Sequence, residues 1–315
     1  MDMLLTALRA AAETTRLRLL ALANRGSFCV TDFAEILGQS QPRLSRHLKL
    51  LCESGLLSRA REGSTVWFSL PPDALGDLAR TLVERLPEDD PLLASDRRQA
   101  ARVLAERARV ASAQFRLQGE DWDEMQALGL PAARVEAAIE ELLGGPSLGR
   151  VLDIGTGTGR LLELLAPRAS SALGIDASRA MLGLARGRLA SPGLQHCGVR
   201  QADMYRLPLA DASYDVAILQ MVLHYAEDPA AALREAARVL RPGGRLLVID
   251  LAAHERSDLT ARLAHVWPGF SGAKMATLLS EAGLRPSQPA RVEGPLEIML
   301  WPADAPQTRR LEAVA

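Results

Sequence analysis

The chain has 315 residues, about twice the length of a typical domain, so we expect two domains that each bury a core. Its 37 cationic and 38 acidic side chains leave a formal net charge of -1, which excludes a uniformly basic nucleic-acid binder but leaves room for one basic face. Cys29, Cys52 and Cys197 are odd in number and far apart, which indicates a reducing compartment. Without a signal segment or an apolar run of about 18 residues, the chain is expected to be soluble and cytoplasmic.

The N-terminal part has the pattern of short helices followed by a β-hairpin. Apolar spacing predicts helices over residues 3–12, 14–24, 31–37 and 41–54, two strands within 57–70 and a closing helix over 72–86. The segment PEDDP, residues 87–91, ends that helix with two prolines and marks a boundary. An Arg- and Ala-rich helix over 92–118 is expected to be a solvated connection.

The segment TDFAEILGQSQPRLSRHLKLLCESGLL, residues 31–57, has the chemistry of a helix-turn-helix. One helix ends near Gly38, and Ser40 caps the next, which has Pro42 in its first turn. Apolar positions at i, i+4 and i+7 are expected in the core: Leu44, Leu48 and Leu51. The side chains left available to DNA are polar or basic: Gln41, Arg43, Ser45, Arg46, His47 and Lys49.

The hairpin that follows, REGSTVWFSL, would form a wing with Arg61 and Ser64 toward the DNA backbone. Together with SQPRLSRHLKLL, residues 40–51, it resembles the winged-helix repressors of the ArsR family. The resemblance implies a DNA-binding and dimerisation domain over residues 1–86. It further implies double-stranded operator DNA as a partner and a homodimer packed through the first and last helices of that domain.

Many ArsR proteins sense metals or arsenic through a CxC pair before the recognition helix. The corresponding segment here, FCVTD, offers Cys29 alone, and a single thiol cannot form a closed thiolate site. The last helix carries Asp73, Asp77 and Glu84 but no histidine. We therefore expect no metal site, and we interpret Cys29 and Cys52 as small core residues.

From about residue 133 to the end, strands and helices alternate in a βαβ rhythm, which predicts a doubly wound α/β fold. A helix over 133–143 ends at Gly144-Gly145-Pro146. The strands are predicted over residues 150–155, 171–176, 196–202, 214–220, 245–251, 290–293 and 296–301. The expected architecture is a Rossmann-like domain with a seven-stranded mixed sheet.

The decapeptide VLDIGTGTGR, residues 151–160, is an apolar strand that runs through a glycine-rich turn into a helix. Gly155, Gly157 and Gly159 allow a close approach of the ligand to the backbone, and the helix N-terminus favours an anionic group. A dinucleotide fold would space its glycines as G-x-G-x-x-G. The tighter G-x-G-x-G, preceded by Asp153, resembles motif I of class I methyltransferases.

Later strand ends extend this resemblance. The strand ALGIDAS ends at Asp176, whose two oxygens suit ribose hydroxyls, and Met181 fits either adenosine packing or an ordinary core position. The resemblance implies S-adenosylmethionine or S-adenosylhomocysteine as a nucleoside ligand. The residues it implies around that ligand are Asp153, Gly155, Gly157, Gly159, Asp176, Ala177, Met181, Ala202, Asp203, Met204 and Gln220.

The same resemblance assigns residues 133–315 to a methyltransferase-type domain and residues 87–132 to a helical linker and lid containing Phe115 and Trp122. His224 and Tyr225 lie where methyl acceptors often bind in the family, and Trp267 and Phe270 would line an acceptor pocket; a structural role for these residues is the alternative. No catalytic residue is assigned, because transfer from a sulfonium depends mainly on alignment.

Two functions remain open at this point. In the first, the chain is a DNA-binding transcriptional regulator whose methyltransferase-type domain binds S-adenosylmethionine or S-adenosylhomocysteine as effector or methyl donor. In the second, it is an active small-molecule methyltransferase with an autoregulatory DNA-binding module, so whether it is an enzyme stays undecided. A metal or arsenic sensor is the least favoured interpretation.

Overall fold

The computed structural model describes residues 2–62, 65–71, 73–117, 129–191, 193–256 and 265–307, and the backbone alone for residue 105 and residues 107–117. Contacts divide the chain into two compact units: a first unit, Met1–Ala113 with Leu182–Arg200, and a second unit, Gln114–Met181 with Gln201–Ala315. No helix within the described ranges is both long and apolar enough to cross a bilayer. The domain limits at residues 86 and 132 stay predictions.

The N-terminal half has the predicted order of helices and hairpin. Its helices are α1 Asp2–Ala11, α2 Thr14–Ala23, α3 Val30–Leu37, α4 Gln41–Glu53, α5 Ala74–Glu84 and α6 Pro91–Leu117. Its strands, β1 Phe28–Cys29, β2 Ser58–Glu62 and β3 Thr65–Ser69, form an antiparallel sheet in the order β1-β3-β2. Strand β1 was not predicted, because two residues are too short to show an alternating pattern.

The helix-turn-helix is built as the sequence predicts. Gly38 ends α3 in the left-handed region at φ 63°, and Ser40 is the N-cap of α4, although its side chain makes no capping hydrogen bond. Leu44, Leu48 and Leu51 are 0%, 1% and 0% exposed, so the predicted apolar face of α4 is confirmed. This face fixes which side chains α4 presents to solvent.

The beginning of α6 is part of the first unit's core, which differs from the solvated connection expected. Ala100, Val103 and Leu104 are buried in the same apolar cluster as the leucines of α4. Asp96 is also buried and accepts hydrogen bonds of 2.7 Å from both Nε and Nη2 of Arg18. Small apolar side chains supply this buried face, so the regular recurrence of charges along α6 concealed it.

Beyond α6 the strands and helices alternate as predicted. The helices are α7 Ala132–Leu143, α8 Arg160–Leu165, α9 Arg179–Leu189, α10 Pro229–Val239 and α11 Gly272–Glu281, with 3-10 turns at Ala166–Arg168 and Leu223–Tyr225. The strands are β4 Gly149–Ile154, β5 Ala169–Asp176, β6 Cys197–Gln201, β7 Tyr214–Gln220, β8 Leu240–Leu251, β9 Arg285–Pro286, β10 Ala290–Val292 and β11 Ile298–Asp304.

These strands form a mixed sheet in the order β10-β11-β8-β7-β4-β5-β6, and the two-residue β9 pairs with β11 as an eighth strand. Strand β4 is parallel to β5 and β7, and β7 is parallel to β8, whereas β11 is antiparallel to β8 and β10. The carboxyl ends of the four parallel strands therefore meet at one edge of the sheet, which is where open α/β sheets bind ligands.

Candidate functional site

The glycine-rich loop between β4 and α8 depends on its glycines. Gly155, Gly157 and Gly159 have φ angles of 80°, 52° and 76°, in the left-handed region that side chains disfavour. A Cβ on Gly155 would lie 2.6 Å from Cγ2 of Val222, so the loop closely approaches the segment after β7. The Gly157 amide donates a hydrogen bond of 2.9 Å to Oδ2 of Asp176. The loop is thus held against the end of β5.

Asp153 lies at the end of β4, directly beneath this loop, and is 1% exposed. Its Oδ2 accepts a hydrogen bond of 2.6 Å from the hydroxyl of Thr156, while its Oδ1 has no hydrogen-bond partner among the described residues. Burial raises the pKa of Asp153 to about 7, opposed by the Thr156 hydrogen bond, and the nearby charge of Asp176 also raises it. A buried carboxylate oxygen without a donor fits a ligand that brings N–H groups or positive charge.

Asp176 ends β5 and retains capacity to bind a ligand. Its Oδ2 accepts from Gly157, its Oδ1 accepts at 2.8 Å from the Ser178 amide, and the Ala177 amide adds a third hydrogen bond, so about one of roughly four lone-pair positions is left. Burial raises its pKa, and the backbone hydrogen bonds oppose that rise. The next residue, Ala177, accepts at 2.8 Å from Nε2 of Gln201, which fixes the start of the following turn.

The other predicted ligand residues lie around the same strand ends. The Ala202 amide donates at 3.2 Å to the carbonyl of Asp176, which brings the segment after β6 next to β5. Asp203 is exposed, and its Oδ1 accepts at 2.9 Å from the Tyr205 amide. Met181 is 8% exposed at the start of α9. Met204 is partly buried against the core beside the sheet, and Gln220 is partly buried at the end of β7.

His224 and Tyr225 form the 3-10 turn after β7, and the structure places them in a ring cluster. His224 is completely buried, and its Nδ1 lies 2.7 Å from Oδ1 of Asp250, the last but one residue of β8, which is also completely buried. Oδ2 of Asp250 accepts from the amides of Leu223 and His224, at 3.0 and 3.2 Å. The His224 ring centroid is 4.2 Å from that of Tyr225 and 4.3 Å from that of His265.

Trp267 joins this cluster through backbone and ring contacts. Its amide donates at 3.0 Å to the His224 carbonyl, its Nε1 donates at 2.8 Å to the Ala226 carbonyl, and its ring stacks on Phe270 with centroids 5.9 Å apart. The residues predicted for an acceptor pocket therefore lie together. The sequence analysis missed two further members of this cluster, Asp250 and His265. Asp250 could have been found, because it is a carboxylate near the end of a strand like Asp153, whereas the sequence around His265 has no such feature.

The recognition helix α4 exposes most of its predicted DNA-facing side chains: Gln41, Arg43, Ser45, Arg46 and Lys49. His47 differs, because it is half-buried and its Nδ1 lies 3.6 Å from Oε2 of Glu13. Arg61 is exposed on β2. Ser64 and Trp122 lie outside the described residues, as does the side chain of Phe115.

A buried ion pair inside the first unit was not foreseen. Arg186 on α9 donates from Nη2 to both carboxylate oxygens of Glu62 at the end of β2, at 2.8 and 3.0 Å. Glu62 and Arg186 are only 4% and 8% exposed, and Cζ of Arg186 lies 3.9 Å from the centre of the Trp67 ring on β3. The two strands of the wing thus contact α9, the helix that begins beside the end of β5.

The cysteines lie apart from these sites. Cys29 is the N-cap residue of α3, with its Sγ 2.8 Å from the hydroxyl of Thr31, whereas Cys52 is half-buried and packs against the apolar cluster of the first unit. Burial raises the pKa of Cys52 and raises that of Cys197 to about 12. Within the described part of the chain, no group of three or more His, Cys, Asp or Glu side chains is arranged to hold a metal ion.

Comparison with known families assigns both halves of the chain. Residues 13–59 match the bacterial regulatory protein, arsR family, and residues 152–248 match the methyltransferase domain. The chain therefore joins an ArsR-type helix-turn-helix to a methyltransferase domain. Residues 13–59 thus carry an ArsR-family helix-turn-helix, and residues 152–248 carry a methyltransferase domain.

Individual relatives match one part of the chain. The uncharacterized methyltransferase YcgJ of Bacillus subtilis is 32% identical over 117 residues, 37% of this chain and 46% of that protein. An uncharacterized 37.1 kDa protein in transposon TN4556 of Streptomyces fradiae is 45% identical over 147 residues, 42% of each chain. The chain thus spans less than half the length of these relatives. Among solved structures, one similar chain comes from the complex of the Haloferax volcanii Trm112 methyltransferase activator with a methyltransferase. It has a TM-score of 0.52 at 20% identity, and the match covers 62% of this chain and 97% of that one. This similarity supports the fold alone.

Proposed function

We propose that the chain is a transcriptional regulator that binds operator DNA as a homodimer, and that S-adenosylmethionine or S-adenosylhomocysteine acts as its effector. In this proposal α4 and the wing bind the DNA, and the strand-end site binds the nucleoside. The observation that carries it is the buried Glu62–Arg186 contact, because it joins the wing to the helix that starts at the nucleoside site.

The residues at the strand ends fit the proposed ligand. The acceptor capacity left on Asp176 suits a ribose hydroxyl, and the buried Met181 side chain suits the adenosine. The donor-free Oδ1 of Asp153 suits an ammonium group such as that of the methionine moiety. When bound, S-adenosylmethionine would supply an activated methyl group, whereas both nucleosides carry the groups that these residues recognise.

The polar face of α4 fits the DNA. Arg43, Arg46 and Lys49 are exposed along it, and arginine side chains pair bidentately with guanine or contact phosphates. A homodimer would present two such helices to a two-fold operator. Because His47 is turned toward Glu13, we assign base and phosphate contacts to the arginines and Lys49 before His47.

The link between the two sites is α9, which spans Arg179–Leu189. Its first turn follows Asp176, and Arg186 lies two turns along the same helix, packed against Glu62 and Trp67. A ligand that shifts the start of α9 therefore shifts the environment of the wing. Such a ligand changes the DNA affinity if it binds more tightly to the protein with the wing in one position than in the other.

The test measures both affinities on the full chain. Isothermal titration gives the Kd of each nucleoside, and fluorescence anisotropy gives the Kd for a duplex selected on the protein from a random library, with and without each nucleoside. We expect a fivefold or larger change in DNA affinity. The paired variant Glu62→Leu with Arg186→Met should bind both partners without this coupling, whereas Arg188→Met on the same helix should retain it. Equal DNA affinity with and without saturating nucleoside contradicts the proposal.

Methyl transfer to a small molecule is the second candidate, and the His224–Asp250 pair favours it. Asp250 holds Nδ1 of His224, so the imidazole takes the tautomer that leaves Nε2 as a proton acceptor. The turn lies beside the donor loop, since Val222 is the residue that a Cβ on Gly155 would meet. Incubating the chain with labelled donor and a metabolite extract tests turnover, and Asp250→Asn should reduce turnover with little change in the Kd of S-adenosylhomocysteine.

A further inference from the structure

A cavity of about 360 Å³ lies within the first unit, away from the recognition helix. Its walls are the end of α2, the second half of α5 with the residues after it, the start of α6, and residues 195–196. A cavity of this size falls within the range of small-molecule sites. Neither the helix-turn-helix nor the strand-end site uses it.

Two arginines on this wall lack an anionic partner close by. Arg25 is half-buried after α2, and no described residue gives its guanidinium a hydrogen bond or an ion pair. Burial lowers the pKa of Arg25, and the like charge of Arg97 lowers it further. Arg97 donates from Nη2 to the Glu88 carbonyl at 2.6 Å, which directs it along the same wall. Two cations facing a partly desolvated space cost free energy unless an anion joins them.

The carboxylates and the third arginine that also line the cavity are either held by other residues or exposed. Asp96 is held by Arg18 at 2.7 Å, and Arg80 is held by Asp77 at 2.6 Å. Glu84 and Glu88 are exposed at the rim. No ion pair between described residues joins Arg25 or Arg97 to a carboxylate, while Glu84 and Glu88 in the same lining disfavour ligands with several negative charges.

We propose that this cavity binds a small organic anion, whose single carboxylate or phosphate group lies between Arg25 and Arg97. The lining also includes the apolar side chains of Leu22, Val83 and Leu93, so the ligand carries an apolar body as well as the charged group. Such a ligand would bind α2, α5 and α6 together. This inference goes beyond the nucleoside effector and does not depend on it.

The experiment uses the full chain, with hexanoate and hexyl phosphate as probes and chloride at equal ionic strength as the reference. Melting temperatures and isothermal titration are measured for the wild type, Arg25→Met, Arg97→Met and the control Arg85→Met, an exposed arginine next to α5. At about a hundredfold excess over Kd, the preferred probe should raise the melting temperature of the wild type and of the control by roughly 5 °C. Hexanoate acting alone identifies a carboxylate ligand, and hexyl phosphate acting alone identifies a phosphate ligand.

The arginine variants separate a binding site from a structural one. Arg25→Met removes a repelled, half-buried charge, so its melting temperature without probe should equal or exceed that of the wild type, while its response to the probe is lost. A response of Arg25→Met equal to that of the wild type overturns the proposal, as does no response of the wild type to either probe. S-adenosylhomocysteine binding, titrated in the same samples, reports on the proposed effector separately.

Discussion

Nη2 of Arg186 donates to both carboxylate oxygens of Glu62, and the guanidinium lies over the ring of Trp67. Burial lowers the pKa of Arg186, opposed by the charge and hydrogen bonds of Glu62. Buried ion pairs add little net stability, because desolvation offsets most of their attraction, but they fix one arrangement of the groups they join. This pair therefore acts mainly to specify where the wing contacts α9.

The first prediction concerns the loss of one partner of this pair. Arg186→Met leaves Glu62 buried without its cation, so the free energy of unfolding should fall by about 3–5 kcal/mol in urea titrations. The double variant Glu62→Leu with Arg186→Met removes both charges and should lose much less. If the double variant is as unstable as the single one, the pair is not an isolated buried interaction.

The second prediction uses the pKa of Asp153, raised from an ordinary value of 3.8 to about 7. Between about pH 4 and 7 the folded state holds a proton that the unfolded state has released. Stability is thus fully present below pH 4 and falls as the pH rises, by up to about 4 kcal/mol at pH 8. Asp153→Asn should lose this decline when urea midpoints at pH 5 and pH 8 are compared, while Asp89→Asn, an exposed control, should keep it.

The third prediction links the same carboxyl to ligand binding. If Asp153 receives the ammonium of S-adenosylhomocysteine, only its ionised form attracts the ligand. Affinity measured by isothermal titration should then rise about tenfold per pH unit up to about pH 7 and level off above it. Below about pH 6 binding should release one proton, visible as a dependence of the measured heat on buffer ionisation, and above about pH 8 this release should vanish. A pH-independent Kd in the wild type contradicts this role.

The fourth prediction concerns the loop that covers Asp153. Gly155→Ala places a side chain at φ 80° and brings its Cβ to 2.6 Å from Val222. We expect a loss of about 2 kcal/mol or more of stability together with the loss of nucleoside binding. Gly198→Ala is the matched control, because its Cβ would have nothing within 4 Å and its φ is ordinary. Unchanged binding in Gly155→Ala would remove the loop from the site.

The fold and most of the candidate site could be predicted wherever a periodic pattern in the sequence specifies them. The spacing of Leu44 and Leu48 predicts the buried face of their helix. Asp153 and Asp176 mark the ends of their strands, because buried parallel strands are apolar up to the point where they would meet a ligand. The Glu62–Arg186 pair is 124 residues apart in the chain, and no local pattern connects such positions. The burial of Val103 was missed for a different reason: charges recur along α6 at helical spacing, whereas one narrow apolar face of it decides the packing.

The last prediction separates the two proposed sites. Asp176→Ala removes the carboxylate that would hold the ribose and also the acceptor of the Gly157 amide, so nucleoside binding should fall at least 100-fold, about 2.7 kcal/mol. Basal DNA affinity should stay within twofold of the wild type.

Arg46→Ala removes an exposed cation of α4 and should weaken DNA binding about tenfold or more, about 1–3 kcal/mol, with nucleoside affinity unchanged. Asp176→Asn keeps the shape of the loop and distinguishes loss of the carboxylate from loss of the turn. The two variants alter opposite ends of the proposed coupling. If Asp176→Ala still binds the nucleoside, the assignment of Asp176 to the ribose is wrong. If Arg46→Ala still binds DNA, the assignment of α4 to the DNA is wrong.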